Sequence, residues 1–151
     1  MIPFFCLDML EILKGKLNKL IINEETVWFQ VVNREAQFEI IRLNTEDQLF
    51  EEGIRSDNKS LPDYSNTSVN VYGKRAGHIT LKDTGEFYQS FVVKVDKRGI
   101  DIVADTQKED TDLSIKYGNE ILGLTDENLG LLRELLVLNY REYIRDKIAT
   151  L

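Results

Sequence analysis

Residues 91–104 carry the feature that most constrains the fold, an alternation of side chains that turns back on itself. Apolar residues alternate with others over residues 91–96, and the alternation resumes over residues 100–104 after a turn at residues 96–99. This pattern predicts an antiparallel hairpin with one apolar face. Helices are the only elements available to cover that face, so we expect an α+β fold with N-terminal and C-terminal helices packed on a small antiparallel sheet.

Two segments near the ends of the chain show helical spacing. Between residues 4 and 21, apolar side chains recur every three or four positions with charged residues between them. Residues 125–149 repeat the pattern, and Thr125-Asp126-Glu127 is typical of a helix N-terminus. The second helix would be roughly 35 Å long. Its apolar stripe is wide, so we expect part of this face to meet another subunit.

Residues 24–52 form a third apolar pattern whose type is less certain from the sequence. Asn23-Glu24-Glu25 has the composition of a helix start, because acidic residues are favourable near the positive end of the helix dipole. The β-branched and aromatic residues between Val27 and Val32 leave a strand as the competing interpretation. We favour a helix with a break near Asn33 or Asn44.

Gly53 is expected to end that helix as a C-terminal cap and to open a long loop over residues 53–78. The loop is rich in Ser and Asn and contains Pro62-Asp63, while Val69 and Val71 predict a short strand or an extended arm within it. Its apolar residues are sparse. They bury too little surface to offset about 1–2 kcal/mol of backbone entropy per ordered residue, so we expect a poorly ordered loop in the free protein.

The stretch 79–91 is predicted to form a strand, a turn, one helical turn and a second strand. Asp83-Thr84-Gly85 has the composition of the turn, since Asp and Thr bond nearby amides and Gly tolerates left-handed backbone angles. The flanking apolar residues can then turn inward together. We assign the structural core of this stretch to Leu81, Thr84, Gly85, Phe87 and Phe91.

Residues 105–112 are acidic, and a cation site or a solvated loop could explain them. The stretch lacks the Gly and the terminal Glu of an EF-hand loop, which favours the solvated loop. Leu113 to Tyr117 is expected to form a short helix closed by Gly118.

At 151 residues the chain fits one domain, residues 1–151. No window approaches the roughly 18 consecutive apolar residues of a membrane span, so no membrane partner is expected. Cys6 is the only cysteine, which rules out an internal disulfide, fits a reducing cytoplasm and suggests a small core residue. The domain divides into a helical part (1–52), the long loop (53–78), the central turn and hairpin (79–105) and the C-terminal helix (125–149).

The formal charge of −7 argues against non-specific binding to the phosphate backbone, so nucleic acid is an unlikely partner. Residues 74–98 are nevertheless locally basic. Solvated strand faces and a charge-complementary contact surface between subunits are the two interpretations. The basic residues are Lys74, Arg75, Lys82, Lys94, Lys97 and Arg98.

Candidate catalytic chemistry is scarce. His78 is the only histidine, so histidine-based triads and metal sites with several imidazoles are absent. A nucleophile pair of Cys6 and His78 lacks a third orienting group. No Gly-rich phosphate loop with its Lys-Ser/Thr partner is present. We expect no enzyme, no cofactor and no metal site.

Several segments, taken in chain order, carry a family resemblance. They are Gln48–Gly53, Ser56–Thr67 with its Tyr64-Ser65, the stretch 79–91, Tyr117-Gly118 and Ile121–Glu127 with its Leu122-Gly123-Leu124-Thr125-Asp126-Glu127. In order and spacing these segments resemble the phage virion morphogenesis family, the tail-completion and head–tail neck proteins of tailed phages and prophages. The resemblance covers roughly residues 37–148.

The resemblance implies a structural protein that assembles with its own copies into a ring. Its partners would be connector, terminator or tail proteins, and its place the virion, after synthesis in the bacterial cytoplasm. The alternative is a monomeric intracellular module that binds a protein or ligand without catalysis. The residues expected to make assembly contacts are Leu61, Tyr64, Arg75, His78, Lys94, Lys97 and Arg98.

Overall fold

The computed structural model describes residues 4–20, 22 and 24–151, with side chains described for residues 11–20, 22 and 26–151. Within these ranges it has seven α-helices and two small antiparallel sheets, which confirms the predicted α+β fold. In chain order the elements are α1 (Phe4–Lys19), α2 (Glu24–Val31), α3 (Arg34–Arg42), a π-helix (Leu43–Glu52), α4 (Asn66–Asn70), α5 (Glu86–Gln89), β1 (Val92–Asp96), β2 (Gly99–Val103), β3 (Gln107–Lys108), β4 (Thr111–Asp112), α6 (Leu113–Tyr117), a 3₁₀ turn (Asn119–Ile121) and α7 (Asp126–Ala149).

The predicted hairpin is confirmed as β1 and β2. Val93 pairs with Ile102, and Asp96 pairs with Gly99 across a two-residue turn. The Asp96 carboxylate accepts hydrogen bonds from the backbone N–H groups of Arg98 and Gly99 at 2.7 and 3.2 Å, which fixes the turn. Strand β1 packs on α2 and α3, so helices from the N-terminal half cover the apolar face. A second pair, β3 and β4, forms a separate sheet.

Two apolar clusters make up the core, and Ile41 and Ile102 pack against both of them. The shared side chains join the clusters into one continuous interior. The first cluster contains Leu49, Leu61, Leu81, Phe87, Tyr88, Phe91, Leu113 and Ile121. The second contains Val32, Ala36, Ile40, Leu43, Val93, Leu124 and Leu132.

The central stretch is partly as predicted. The turn and the single helical turn α5 form, and the rings of Phe87 and Phe91 meet edge-on with centroids 5.0 Å apart. The prediction of a strand at residues 79–82 is wrong. Leu81 has a φ of 57° there, a left-handed conformation that interrupts an extended strand.

The core assignment in this stretch also needs correction. Thr84 is exposed, because its hydroxyl bonds the neighbouring Glu86 at the surface of the turn. Gly85 is half-buried and serves the backbone, with a φ of 87°. Tyr88 takes the expected place of Thr84 in the core, and its hydroxyl donates to the Thr80 carbonyl.

The segment 24–52 is helical, so the strand interpretation is wrong and the break at Asn33 is confirmed. Asn33 caps α3 by accepting from the Ala36 N–H at 2.9 Å. The second suggested break, near Asn44, corresponds to a change from α- to π-helix at Leu43. The predicted cap at Asn23 and the predicted burial of Cys6 lie outside the described residues and side chains.

The Thr45 hydroxyl donates to the Ile41 carbonyl at 2.7 Å, where the α- to π-helix transition occurs. Such a bond competes with the backbone for that carbonyl and bends helices. The π-helix presents Asn44 and Gln48, both fully buried, to the segment before α7. Asn44 donates to the Ile121 carbonyl at 3.1 Å and accepts from the Gly123 N–H at 2.9 Å.

The loop 53–78 is anchored within its own subunit, contrary to the expectation of sparse anchors. Leu61 is buried in the first cluster, so its expected role as a contact to a neighbour is corrected. The Tyr64 hydroxyl lies 3.2 Å from the Thr80 hydroxyl. The strand or extended arm predicted around Val69 is wrong, because Ser65 caps the short helix α4 there.

The predicted end of α6 and the predicted start of α7 are both confirmed. Thr125 caps α7 by accepting from the Asn128 N–H at 3.3 Å, and α6 ends at Gly118, which has a φ of 92°. Residues 105–112 hold the small β3–β4 sheet, so the predicted loop contains a short hairpin.

Gly53 ends the π-helix in a left-handed conformation and lies against the ring of His78. With a φ of 64°, an added Cβ would be strained, and it would sit 2.1 Å from His78 Cγ. We expect Gly53→Ala to lower the free energy of unfolding by about 2–4 kcal/mol, from strain plus overpacking.

Gly73→Ala is the matched control, because Gly73 has nearly the same φ of 66° and nothing within 4 Å of the added Cβ. It should cost only about 1–2 kcal/mol. Urea unfolding of the two variants measures the difference. Equal losses would show that the contact with His78 does not constrain this position.

Candidate functional site

An open apolar groove runs along α7, between that helix, α2 and the turn of the β1–β2 hairpin. Its volume is about 600 Å³. Three apolar residues of α2 form one wall, and a stripe of α7 forms the floor and the other wall. The lining residues are Val27, Trp28, Val31, Lys97, Ile100, Leu129, Leu132, Arg133, Leu136, Val137 and Tyr140.

The spacing of residues on α7 explains the shape of this groove. The lining positions between Leu129 and Tyr140 recur at three- and four-residue steps, which places them on one face of the helix. Leu132 lies in the second core cluster, whereas Leu129 and Val137 keep 42% and 43% of their surface exposed. The floor is therefore buried, and the wall that α7 forms is open.

Helix α2 is fixed beside α7 by a polar contact and by packing. Asn139 of α7 donates from its side chain to the Val31 carbonyl at the end of α2, at 2.8 Å. Trp28 of α2 and Leu136 of α7 both pack against the second core cluster. The wall formed by α2 is thus held in place, and the groove is part of the packed fold.

The only charges among the groove's lining residues are positive. Lys97 comes from the hairpin turn, and Arg133 comes from α7. Lys94 and Arg98 lie on the same hairpin and are exposed, with Arg98 paired to Asp96 at 3.2 Å. The groove therefore combines an apolar lining with a cationic rim.

Other basic residues of the stretch 74–98 are engaged within the subunit. Lys82 pairs with Glu46 at 3.0 Å. Lys74 and Lys108 both pair with Asp83. Arg98 of the hairpin is likewise paired, with Asp96, so ion pairs within the subunit engage basic residues both on the hairpin and outside it.

Arg75 and His78, two of the expected assembly contacts, hold the long loop to the π-helix. Arg75 Nη2 and His78 Nε2 lie 3.0 and 2.9 Å from the Phe50 carbonyl oxygen. The guanidinium also lies 5.0 Å from the centroid of the Phe50 ring. The structure brings these two residues together with Phe50, in a role within the subunit. The hairpin residues Lys94, Lys97 and Arg98 form the other group.

Sequence reasoning missed most of the groove. Its visible signal was the wide apolar stripe of α7, which we expected to meet another subunit. The contribution of α2 was not foreseen, because Val27, Trp28 and Val31 have the composition of buried residues, whether in the favoured helix or in the competing strand. Only the pairing of α2 with α7 in space reveals them as one wall of an open surface.

Asp83 is the most strongly perturbed carboxylate near the central turn. Hydrogen bonds from Lys108 and Lys74 lower its pKa from 3.8 to about 2. The pairing ties the turn to the β3–β4 sheet and to the long loop. Because all three side chains remain about 34–43% exposed, solvent screens much of this interaction.

We expect Asp83→Asn to lower the free energy of unfolding at pH 7 by less than about 1 kcal/mol. The folded-state pKa lies below the ordinary value of 3.8, so the ionised carboxylate stabilises the fold above that pH. This stabilisation disappears as the pH falls through about 2.

Urea unfolding at a series of pH values, with Asp110→Asn as a control at an exposed carboxylate, measures the effect. The difference between the parent chain and Asp83→Asn should shrink toward zero in acid. A difference that stayed constant down to a pH of about 2 would contradict the assignment.

In the described part of the chain, no group of three or more His, Cys, Asp or Glu residues could hold a metal ion. None of the described helices has the length and apolar character needed to cross a membrane.

No family model, no curated protein and no solved structure matches this chain.

Proposed function

We propose that this chain is a structural virion morphogenesis protein of a tailed phage or prophage, acting in tail completion or at the head–tail neck. It works by joining copies of itself into a ring. The observation that carries the proposal is the open apolar groove between α2, α7 and the hairpin turn. The sequence resemblance supplies the biological setting.

The groove is the kind of surface that monomeric proteins seldom leave open. Leu129, Val137 and Tyr140 are each 40–43% exposed along one helix face. Contiguous exposed apolar surface of this kind marks an interaction site. Covering it removes apolar area from water, which stabilises a complex by about 25 cal/mol per Å² before the costs of association.

Charge favours a second copy of the chain as the occupant. The rim of the groove carries Lys97 and Arg133, whereas the whole chain has a net charge of −7. The surface of another copy is therefore predominantly acidic and complements the rim. A ring needs two different patches on each subunit, of which the groove is one.

The proposal extends to neighbouring connector, terminator or tail proteins, on which such a ring would stack. It places the protein in the virion after synthesis in the bacterial cytoplasm. It includes no catalytic step, no cofactor or metal, and no membrane or nucleic-acid partner. Assembly alone is the function.

A ligand-binding module without catalysis is the second candidate, and the groove volume favours it to some extent. About 600 Å³ lies within the roughly 300–1,000 Å³ typical of small-molecule sites. Such sites also place several polar groups to orient the ligand. This groove offers few polar side chains, which fits an apolar protein segment better.

Neighbouring positions on α7 provide a direct test of self-assembly. Val137 lines the groove, whereas Leu138 is 55% exposed and does not line it. We expect Val137→Glu to raise the concentration needed for assembly at least about tenfold, equivalent to about 1.4 kcal/mol, because it buries a charge in the contact. Leu138→Glu should leave assembly unchanged.

Light scattering over a concentration series measures the oligomeric state. Both positions are exposed, so each variant should keep the parent's stability within about 0.5 kcal/mol, which thermal melting verifies. Equal responses of the two variants, or a parent chain that is monomeric throughout, would refute the proposal. Saturable binding of a small ligand by that monomer would favour the second candidate.

A further inference from the structure

We propose that the groove of each subunit receives the acidic corner of a neighbouring copy, the surface formed by residues 105–120. This inference rests on the proposed self-assembly and names the part of the partner that performs it. The acidic corner comprises β3, β4, α6 and the start of the 3₁₀ turn, and Ile115 is its apolar anchor. Its net charge is opposite in sign to the charges that line the groove.

Ile115 projects from α6 into solvent. With 85% of its surface exposed, it is the most exposed large apolar side chain among the described residues. Leu113, two positions earlier, is buried in the first core cluster. Residues two apart on a helix point to different sides, so α6 packs on the fold through Leu113 and presents Ile115 outward.

Hydrogen bonds at both ends of α6 hold Ile115 in place. At the start of the helix, the Asp112 carboxylate accepts from the Ser114 N–H at 2.8 Å. At its end, the Arg55 guanidinium donates to the Tyr117 carbonyl at 2.7 Å. An anchor fixed in this way loses little freedom when it binds, which favours a tight contact.

The surroundings of Ile115 are acidic. Residues 105–120 contain five acidic and two basic residues, which gives the corner a formal charge of −3. Of the two lysines, Lys108 pairs with Asp83 of its own subunit, which leaves Lys116 against the acidic groups within this range. Four of the acidic residues are exposed: Asp105, Glu109, Asp110 and Glu120.

The lining of the groove is cationic. Lys97 and Arg133 are its charged members, and both are positive. On α7, Asp126 falls one turn before Leu129 and does not line the groove. The other charges of the hairpin balance, because they comprise two basic and two acidic residues: Lys94, Arg98, Asp96 and Asp101. An acidic occupant therefore meets attraction along this lining.

Two other exposed apolar segments carry charges of the wrong sign for this groove. The described side chains of α1 include three lysines but one glutamate. At the tip of the long loop, Val71 and Tyr72 are followed by Lys74 and Arg75. Either segment would bring positive charge toward the cationic lining, whereas the acidic corner brings negative charge together with Ile115.

The acidic corner and the groove are different surfaces of one subunit. Helix α6 packs on the first core cluster through Leu113, whereas the floor of the groove contains Leu132 of the second cluster. A contact between these two surfaces joins subunits head to tail, because each subunit contributes its groove to one neighbour and its corner to another. Contacts of this kind can close into a ring.

Charge reversal tests the pairing of the two surfaces. One variant carries Lys97→Glu and Arg133→Glu in the groove, and the other carries Glu109→Lys and Asp110→Lys in the corner. All four positions are exposed. Either variant alone brings like charges together, so we expect its assembly to need at least about tenfold more protein than that of the parent. In an equimolar mixture every contact can again join opposite charges, and the mixture should assemble at the parent's concentration.

Light scattering over a concentration series measures assembly, and thermal melting verifies that each variant is folded. A corner variant that assembles like the parent would overturn the inference. A mixture that assembles no better than the two separate variants would overturn it as well.

The apolar anchor has its own test. Ile115→Gln removes the apolar side chain without adding a charge, and we expect it to raise the concentration needed for assembly at least about tenfold. Val71→Gln is the matched control, because Val71 is also β-branched and is 70% exposed at the tip of the long loop. This control should leave assembly unchanged. Equal responses of the two variants would contradict the role of Ile115.

The same measurements separate this inference from the self-assembly on which it rests. If Val137→Glu weakens assembly while Ile115→Gln and the corner reversal do not, copies join through the groove but the acidic corner is not the occupant. A parent chain that stays monomeric overturns both proposals.

Discussion

The orientation of α7 depends on a buried set of amide hydrogen bonds between the π-helix and the segment before α7. Gln48 donates to the Gly123 carbonyl at 3.0 Å and accepts from the Thr125 N–H at 2.8 Å and from the Asn128 side chain at 2.9 Å. Together with Asn44, it provides hydrogen-bond partners for the backbone groups of the turn that leads into α7. Leaving any of these buried groups unpaired would cost about 1–3 kcal/mol. None of the buried side-chain polar atoms in the described residues lacks a partner. The direction of α7, and with it the groove, is therefore fixed from inside the fold.

Local signals in the sequence were enough to place the elements that the groove needs. The alternation around Val93 predicts the hairpin, Thr125 predicts the start of α7, and Gly53 predicts the end of the preceding helix. Each of these signals acts within a few residues, through a pleat, a cap or a left-handed backbone angle. Long-range packing could not be predicted from such local signals. Asn44 and Gln48 have the composition of a solvated helix face, and only their distant backbone partners explain their burial.

In the candidate site, too, local sequence signals predicted one part, and long-range packing determines the other. The wide stripe of α7 indicated an uncovered surface, but α2 becomes a wall through long-range contacts, namely the bond from Asn139 to the Val31 carbonyl and the packing of Trp28. The loop contacts expected at Leu61 and Tyr64 lie inside the subunit, since the first core cluster and Thr80 receive them. Of the hairpin cations, Lys97 lines the groove, and the assembly contacts expected at Lys94, Lys97 and Arg98 stay a prediction. The proposed assembly would therefore use the apolar groove, whereas the long loop contributes to the stability of the subunit.

Native mass spectrometry of the full chain over a concentration series tests the central claim most directly. Head-to-tail contacts that close on themselves give one oligomer of fixed stoichiometry. We expect monomer together with that single oligomer, whose share grows with concentration and falls when Val137 is replaced by Glu. Monomer alone at every concentration would contradict the account, and so would a two-fold dimer that never grows further.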